Sequence, residues 1–218
     1  MITLLVEILK LLTIALTVIL FLLIVVFRIV RHYRHFPIPA LATQLIDNPF
    51  RRRFLQRPHA IADRMRLTPG MIVVEIGPGK GNYTKAVASR LLPNGKVYAI
   101  DIQEWIINKL KKKVQKEQIT NIEPRIDNAK KCSFSNDSID RVLAITCLPE
   151  IPNPTDVLRE CYRILKPGGL ICLCELALDP DYPRRKTEKR WALEAGFILS
   201  EEFGNFLTYQ LNFRKNEA

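Results

Sequence analysis

The stretch that decides the fold is residues 73–84, VVEIGPGKGNYT. An apolar run at residues 73–76 leads directly into three glycines at alternating positions, and a helical pattern follows from residue 81. Glycine permits positive φ and lets a ligand approach the backbone closely. The first N–H groups of a helix have no partner within the helix, so a polar or anionic ligand group can bind them. The stretch therefore predicts a nucleotide-type binding site at the carboxyl end of a first strand.

Two common phosphate-binding patterns do not fit this loop. A P-loop requires G-x-x-x-x-G-K-S/T, which the chain lacks. A dinucleotide fingerprint requires Gly or Ala three residues after Gly79, where the chain has Asn82. What remains is E-x-G-x-G-x-G, with Glu75 on the strand itself. A tight turn without a ligand is the alternative explanation of these glycines.

Short apolar runs alternate with helical patterns from residue 67 onward. The runs are 71–76, 96–100, 122–126, 139–145 and 170–176, and the helical patterns are 81–92, 103–116 and 154–165. Such alternation predicts an α/β fold, a mainly parallel sheet with helices on both faces. The first, fourth and fifth runs are almost wholly apolar, as expected of central strands. A helix at 184–195 and apolar segments at 196–199 and 206–213, joined through Gly204-Asn205, predict a terminal antiparallel hairpin.

Further segments accompany the glycine loop in a fixed order. They are YAID at 98–101, DNA at 127–129, FSNDSID at 134–140 and RILKPGG at 163–169. With residues 73–84, they resemble the motifs of class I S-adenosylmethionine-dependent methyltransferases, in particular methyltransferase type 11-like domains. The resemblance covers residues 67–218. It implies a Rossmann-like, seven-stranded fold, S-adenosylmethionine as cofactor and S-adenosylhomocysteine as product.

The resemblance assigns nine residues to the cofactor. They are Glu75, Gly77, Gly79, Gly81, Asp101, Ile102, Asn128, Ala129 and Thr146. The three glycines would lie along the methionine part, where Glu75 would order the loop and the ammonium group. Asp101 would accept hydrogen bonds from both ribose hydroxyls, although an acid before the 103–116 helix also fits a helix cap.

The other assigned residues would surround the adenine and the methyl group. Ile102 would pack on the adenine, and Ala129 would contribute backbone there. Asn128 stands where the family often has Asp facing the adenine amino group, so an uncharged acceptor would replace a carboxylate. Thr146 would lie near the transferred methyl group.

The sequence assigns no catalytic residue. Residues 147–150, CLPE, stand where methyltransferases that act on the amino nitrogens of DNA bases or glutamine have an N/D-P-P-Y/F signature. Within the resemblance, this difference counts against those substrates. Glu150 and Tyr182 are candidates, because both lie on loops expected over the acceptor pocket and either could orient or deprotonate an acceptor. A structural role in these loops is the alternative for both residues.

The N-terminus predicts a membrane anchor. Residues 1–27 carry two charges, Glu7 and Lys10, and residues 11–27 carry none. A helix over residues 2–30 would be about 43 Å long, sufficient for a hydrocarbon core of about 30 Å. A cleaved signal peptide fits less well, because no positively charged start and no small-x-small site precede Arg28. The expected organisation is an anchor at 1–30, a basic juxtamembrane linker with short helices at 31–66 and the methyltransferase domain at 67–218.

The positive charge is concentrated beside this anchor. The chain has 33 Lys plus Arg against 22 Asp plus Glu, and nine of the Arg lie within residues 28–66. The positive-inside rule then places the domain in the cytoplasm. Topology and attraction to anionic lipid account for the Arg cluster, so no nucleic-acid partner is expected. Five cysteines without a repeated pair spacing imply neither a disulfide framework nor a metal site.

These observations predict a single-pass membrane methyltransferase. Anchoring raises the local concentration of substrates that reside in the bilayer, which favours a lipid, a quinone-like molecule or another apolar small molecule as acceptor. The alternatives are a membrane-tethered protein methyltransferase and a non-catalytic assembly subunit that binds S-adenosylmethionine. The sequence carries no indication of the oligomeric state.

Overall fold

The computed structural model describes residues 2–33 and 48–217. They belong to two compact units, an N-terminal helix and an α/β body. Helix α1, Ile2–Tyr33, contains the segment Val6–Leu23 with a mean hydropathy of 2.5, and this segment is long and apolar enough to cross a membrane. A signal sequence near an N-terminus has the same length and composition, so the retained anchor and its orientation stay predictions.

The α/β body contains a seven-stranded sheet among the described residues, in the order β3-β2-β1-β4-β5-β7-β6. The strands are β1 Ile72–Ile76, β2 Lys96–Asp101, β3 Ile122–Ile126, β4 Ile139–Ile145, β5 Leu165–Leu176, β6 Ile198–Gly204 and β7 Thr208–Arg214. The helices are α2 Pro58–Asp63, α3 Asn82–Leu91, α4 Glu104–Lys116, α5 Pro154–Ile164 and α6 Arg185–Glu194. Strands β1 to β5 pair in parallel, and β7 pairs antiparallel with both β5 and β6. The predicted fold class and terminal hairpin are confirmed.

Strand β5 is longer than the sequence predicts. It begins at Leu165 instead of residue 170, because Leu165 already pairs with Ile139 of β4. The next pair is Leu170 with Arg141, so residues 166–169 bulge out between the two pairs. The Pro-Gly-Gly sequence suits this bulge, since proline has no N–H for the ladder and Gly168 has a φ of 73°.

The core lies on both faces of the sheet, as the alternation predicts. On one face, buried residues of α5 such as Val157 and Leu158 pack against β4 and β5. On the other face, residues of α2, α3 and α4 pack against the same strands and β1. Cys172 and Cys174 point to this second face with their Sγ atoms 3.7 Å apart, as expected for residues two apart on a strand.

The segment Asn48–Met65, called the strap below, packs onto the α/β body. It contains a short π-helical turn, Arg51–Leu55, and helix α2, which starts with Pro58. Ala62 and Met65 are buried in the core. The sequence predicts these residues to lie in a linker between membrane and domain, and their packing adds them to the core of the body.

Candidate cofactor and active site

The glycine loop lies at the carboxyl end of β1. Gly77, Gly79 and Gly81 have φ angles of 67°, 50° and 72°. A Cβ at Gly77 would lie 2.8 Å from Cβ of Cys147, and one at Gly81 would overlap the side chain of Leu110. Packing of the chain therefore excludes a side chain at Gly77, whereas at Gly81 the overlap involves only the end of a side chain and the positive φ favours glycine. Gly79 has no atom within 4 Å of its Cβ position, so open space that suits a ligand borders the loop there.

Glu75 lies on β1 directly below this loop. Its side chain is 2% exposed, and its Oε2 atom has no hydrogen-bond partner within residues 2–33 and 48–217. Burial raises the pKa of Glu75 to about 7, while the nearby Thr84 hydroxyl acts in the opposite direction. A buried carboxyl group with one unpaired oxygen is stabilised by a cation, so Glu75 fits the ammonium group that the resemblance assigns to it.

Asp101 ends the neighbouring strand β2. Its Oδ1 accepts the backbone N–H of Gln103, the N-cap residue of α4, at 2.8 Å, so the carboxylate closes a turn just before the helix and is not the helix cap itself. Burial raises the pKa of Asp101, and the backbone N–H groups of Gln103 and Ile102 act against this shift. The side chain of Ile102 is 68% exposed. An acid and an exposed apolar side chain thus lie side by side at the same edge of the sheet as the glycine loop.

Asn128 follows β3 in a local turn. Its Oδ1 accepts the backbone N–H of Lys130 at 2.9 Å, and its side chain is exposed. An amide oxygen has two lone pairs, so this turn leaves acceptor capacity for an adenine amino group. Ala129 beside it is 7% exposed and packs into the core.

Thr146 directly follows β4 and has a φ of 48°, an unusual conformation for a β-branched residue. Its N–H donates to the carbonyl oxygen of Cys174 at 2.8 Å, which ties it to β5. Its Oγ1 accepts a hydrogen bond from Nη2 of Arg51 at 2.9 Å. Arg51 belongs to the basic linker that the sequence predicts beside the anchor, but it is 4% exposed and inserted at the end of β4. This burial could not be predicted from the sequence, because nothing local distinguishes Arg51 from Arg52 and Arg53.

The two acceptor-side candidates lie at the same edge of the sheet. Glu150 is half-buried in the short 3-10 turn Leu148–Glu150 that follows β4. The hydroxyl of Tyr182 donates to the carbonyl oxygen of Phe206 at 2.9 Å, so this side chain links the loop after β5 to the hairpin turn. Burial raises the pKa of Tyr182, which keeps its hydroxyl protonated and makes it a poor base.

Two buried carboxyl groups lie near this edge. Their burial is not predicted from the sequence. Glu175 on β5 and Glu188 on α6 are 1% and 0% exposed, and all four of their oxygens lack a hydrogen-bond partner within the described residues. Burial and the charge of Glu188 raise the pKa of Glu175, whereas Arg51 lowers it. Burial raises the pKa of Glu188 to about 8. The only sequence signal was an acidic residue inside the apolar run of β5.

The α/β body matches a known protein family. The model described as "Methyltransferase domain" matches residues 67–210. The chain belongs to this methyltransferase family. The expectation from the sequence motifs is thereby confirmed for the family and the fold. The roles of the nine assigned residues stay predictions.

Curated relatives of this methyltransferase domain are similar over part of their length. The demethylmenaquinone methyltransferase of Geobacillus sp. (strain WCH70) is 30% identical over 123 residues, covering 56% of this chain and 53% of that protein. The ubiquinone/menaquinone biosynthesis C-methyltransferase of Hydrogenovibrio crunogenus is 32% identical over 124 residues, covering 56% and 48%. The chain thus spans about half the length of the curated relatives it matches.

Solved structures share the methyltransferase fold. A SAM-dependent methyltransferase from Aquifex aeolicus superposes with a TM-score of 0.75 at 21% identity, covering 82% of this chain and 99% of that one. A Haemonchus contortus phosphoethanolamine N-methyltransferase in complex with S-adenosyl-L-methionine gives a TM-score of 0.64 at 16% identity, covering 74% and 53%. At these identities the likeness concerns the fold alone.

The burial of Glu75 predicts that cofactor binding is linked to proton release. A cation beside Glu75 lowers its pKa from about 7, so S-adenosylmethionine affinity is expected to rise with pH up to about 7. The rise approaches tenfold per pH unit at most, because one group titrates. Calorimetry between pH 5.5 and 7, in buffers of different ionisation enthalpy, measures both the affinity and the released proton. Glu75→Gln should abolish the pH dependence, and a wild-type affinity that does not change with pH would contradict the assignment of Glu75.

Proposed function

We propose that the protein is an S-adenosylmethionine-dependent methyltransferase that acts on an apolar, quinone-like small molecule at a membrane. The observation that carries the proposal is the arrangement of the glycine loop, Glu75 and Asp101 at one edge of the sheet in a methyltransferase-family domain. Ligands of open α/β sheets bind at this edge.

The residues present fit the cofactor. Glu75 offers a buried carboxylate to the ammonium group, Asp101 offers one to the ribose, and exposed Ile102 offers an apolar surface to the adenine. Open space beside Gly79 admits the methionine part. When bound, S-adenosylmethionine supplies an electrophilic methyl group on a sulfonium. The protein's task is then to position the acceptor in line with that methyl group.

Two observations support an apolar acceptor. Curated relatives are named as methyltransferases of demethylmenaquinone. Exposed apolar side chains border the carboxyl edge of the sheet, with Leu178 69% and Phe206 78% exposed. An apolar molecule gains free energy by leaving water at such a surface.

The chain's N-terminus supports action at a membrane. Helix α1 is apolar enough to span a bilayer, and Arg28 and Arg31 near its C-terminal end agree with a cytoplasmic position of the domain. A tethered enzyme meets acceptors dissolved in the same bilayer at a high effective concentration.

The test is a methyl-transfer assay with the full-length protein in native membranes. The membranes receive S-adenosylmethionine with a tritiated methyl group, and solvent extraction then separates lipids from protein. We expect the label in the organic phase, and we expect far less of it when membranes carry the Asp101→Ala variant and the cofactor is kept near the wild-type dissociation constant. Label in the protein pellet would favour a membrane-tethered protein methyltransferase instead. An unlabelled sample from protein that binds the cofactor would favour a non-catalytic assembly subunit.

A further inference from the structure

The strap inserts one cation into the candidate site. Of the Lys and Arg side chains whose burial the structure describes, Arg51 is the one that is buried, at 4% exposure. Its Nε donates to Oε1 of Gln56 at 2.8 Å and its Nη2 donates to Thr146 at 2.9 Å. The strap itself is held there, since the Tyr83 hydroxyl donates to the carbonyl oxygen of Gln56 at 3.1 Å. The guanidinium group is therefore fixed in position.

Its neighbours locate this guanidinium group above the glycine loop. Its Cζ lies 6.0 Å from the ring centre of Tyr83, the second residue of α3 after the loop. On the other side is Thr146, whose neighbour Cys147 donates from Sγ to the carbonyl oxygen of Ile76 at 3.0 Å. Ile76 directly precedes the loop and Tyr83 closely follows it, so Arg51 lies at the end of the site where the methionine part would bind.

The methionine part of S-adenosylmethionine carries an ammonium group and a carboxylate. Glu75 below the loop suits the ammonium group, which leaves the carboxylate without a partner of opposite charge. A guanidinium group matches a carboxylate with two parallel hydrogen bonds, and the pairing is stronger where water is excluded. Two other cations lie near the loop, Lys80 within it and Lys113, whose Nζ donates to the carbonyl oxygen of Lys80 at 2.7 Å, and both are less buried than Arg51.

We infer that Arg51 of the strap binds the carboxylate of the cofactor's methionine part. The inference rests on the proposed function, and it adds a binding residue that lies outside the matched family domain, residues 67–210. Segment 48–65 is then part of the cofactor site and does more than join the domain to the N-terminal helix.

The experiment compares two ligands that differ only in the carboxylate. Calorimetry with the full chain in detergent measures the affinities of S-adenosylmethionine and of decarboxylated S-adenosylmethionine. Arg51→Gln is expected to weaken the binding of S-adenosylmethionine by about 30-fold, as for the loss of a charge-assisted pair, and to leave that of the decarboxylated ligand within about twofold. Arg51→Lys, which keeps the charge but loses the paired hydrogen bonds, should fall between wild type and Arg51→Gln.

Matched controls make each outcome decisive. Arg53→Gln removes an exposed arginine of the same turn and should change neither affinity. If Arg51→Gln weakens both ligands equally, Arg51 only supports the structure of the site and the inference is wrong. It is also wrong if neither affinity changes. A wild-type protein that binds neither ligand would instead overturn the proposed function.

Discussion

Replacing Asp101 by alanine is expected to weaken S-adenosylmethionine binding about 100-fold while the protein stays folded. Asp101 ends β2 beside the glycine loop, where its carboxylate would accept hydrogen bonds from two ribose hydroxyls. Hydrogen bonds to a charged group contribute about 1.5 kcal/mol or more each, and 1.4 kcal/mol corresponds to a factor of ten. Calorimetry on the full chain in detergent measures the loss directly.

Two control variants separate binding from stability. Asp101→Asn keeps an acceptor for the N–H of Gln103, so it should retain the turn before α4 but recover only part of the affinity. Asp140→Asn changes a partly buried carboxylate at the opposite edge of the sheet, where it binds Lys166 and the N–H of Ile72. This second variant should lower the melting temperature without changing the affinity. Unchanged binding by Asp101→Ala would remove Asp101 from the site.

The fold could be predicted because its determinants are local in sequence. The apolar run before Gly77 specifies a strand and the glycines specify a sharp turn. Alternation of apolar runs then specifies a parallel sheet. The same locality explains why the candidate cofactor residues lie together. In a parallel sheet, residues that follow different strands meet at the carboxyl edge whatever their separation along the chain.

The parts that sequence analysis missed depend on contacts between distant segments. Arg51 is 95 residues from Thr146, and a run of three arginines does not indicate which one turns inward. The inward position follows from the burial of Ala62 and Met65, which fixes the strap on the body. Likewise, the early start of β5 depends on the pairing of Leu165 with Ile139, which no pattern within 163–169 reveals.

The pairing of Glu175 with Glu188 was hidden for the same reason. One residue lies on β5 and the other on α6, and they meet because the helix packs across that end of the sheet. Two carboxyl groups buried together do not both ionise near neutral pH, so the pair holds a proton in the folded protein. In the unfolded chain both groups are in water and have ordinary pKa values. Folding is therefore linked to proton uptake at this pair.

The protein is accordingly expected to lose stability as the pH rises above about 5. The folded state keeps the Glu188 proton up to a pKa of about 8, whereas the unfolded chain releases it above the ordinary value of 4.5. The unfolded state is thus favoured progressively between these two values, by about 1.4 kcal/mol per pH unit for one group. The free energy of unfolding should therefore fall between pH 5 and pH 8, and urea titrations of the full chain in detergent measure the slope.

A matched pair of variants tests whether Glu188 causes this pH dependence. Glu188→Gln has no proton to exchange, so its unfolding free energy should fall less steeply with pH than that of the wild type, whatever its absolute stability. Glu194→Gln changes an exposed carboxylate on the same helix and should keep the wild-type slope. Equal slopes in all three proteins would show that Glu188 titrates alike in the folded and unfolded chains. Because Glu75 is also buried with a raised pKa, the titrations are made without cofactor, so that its contribution is the same in each protein.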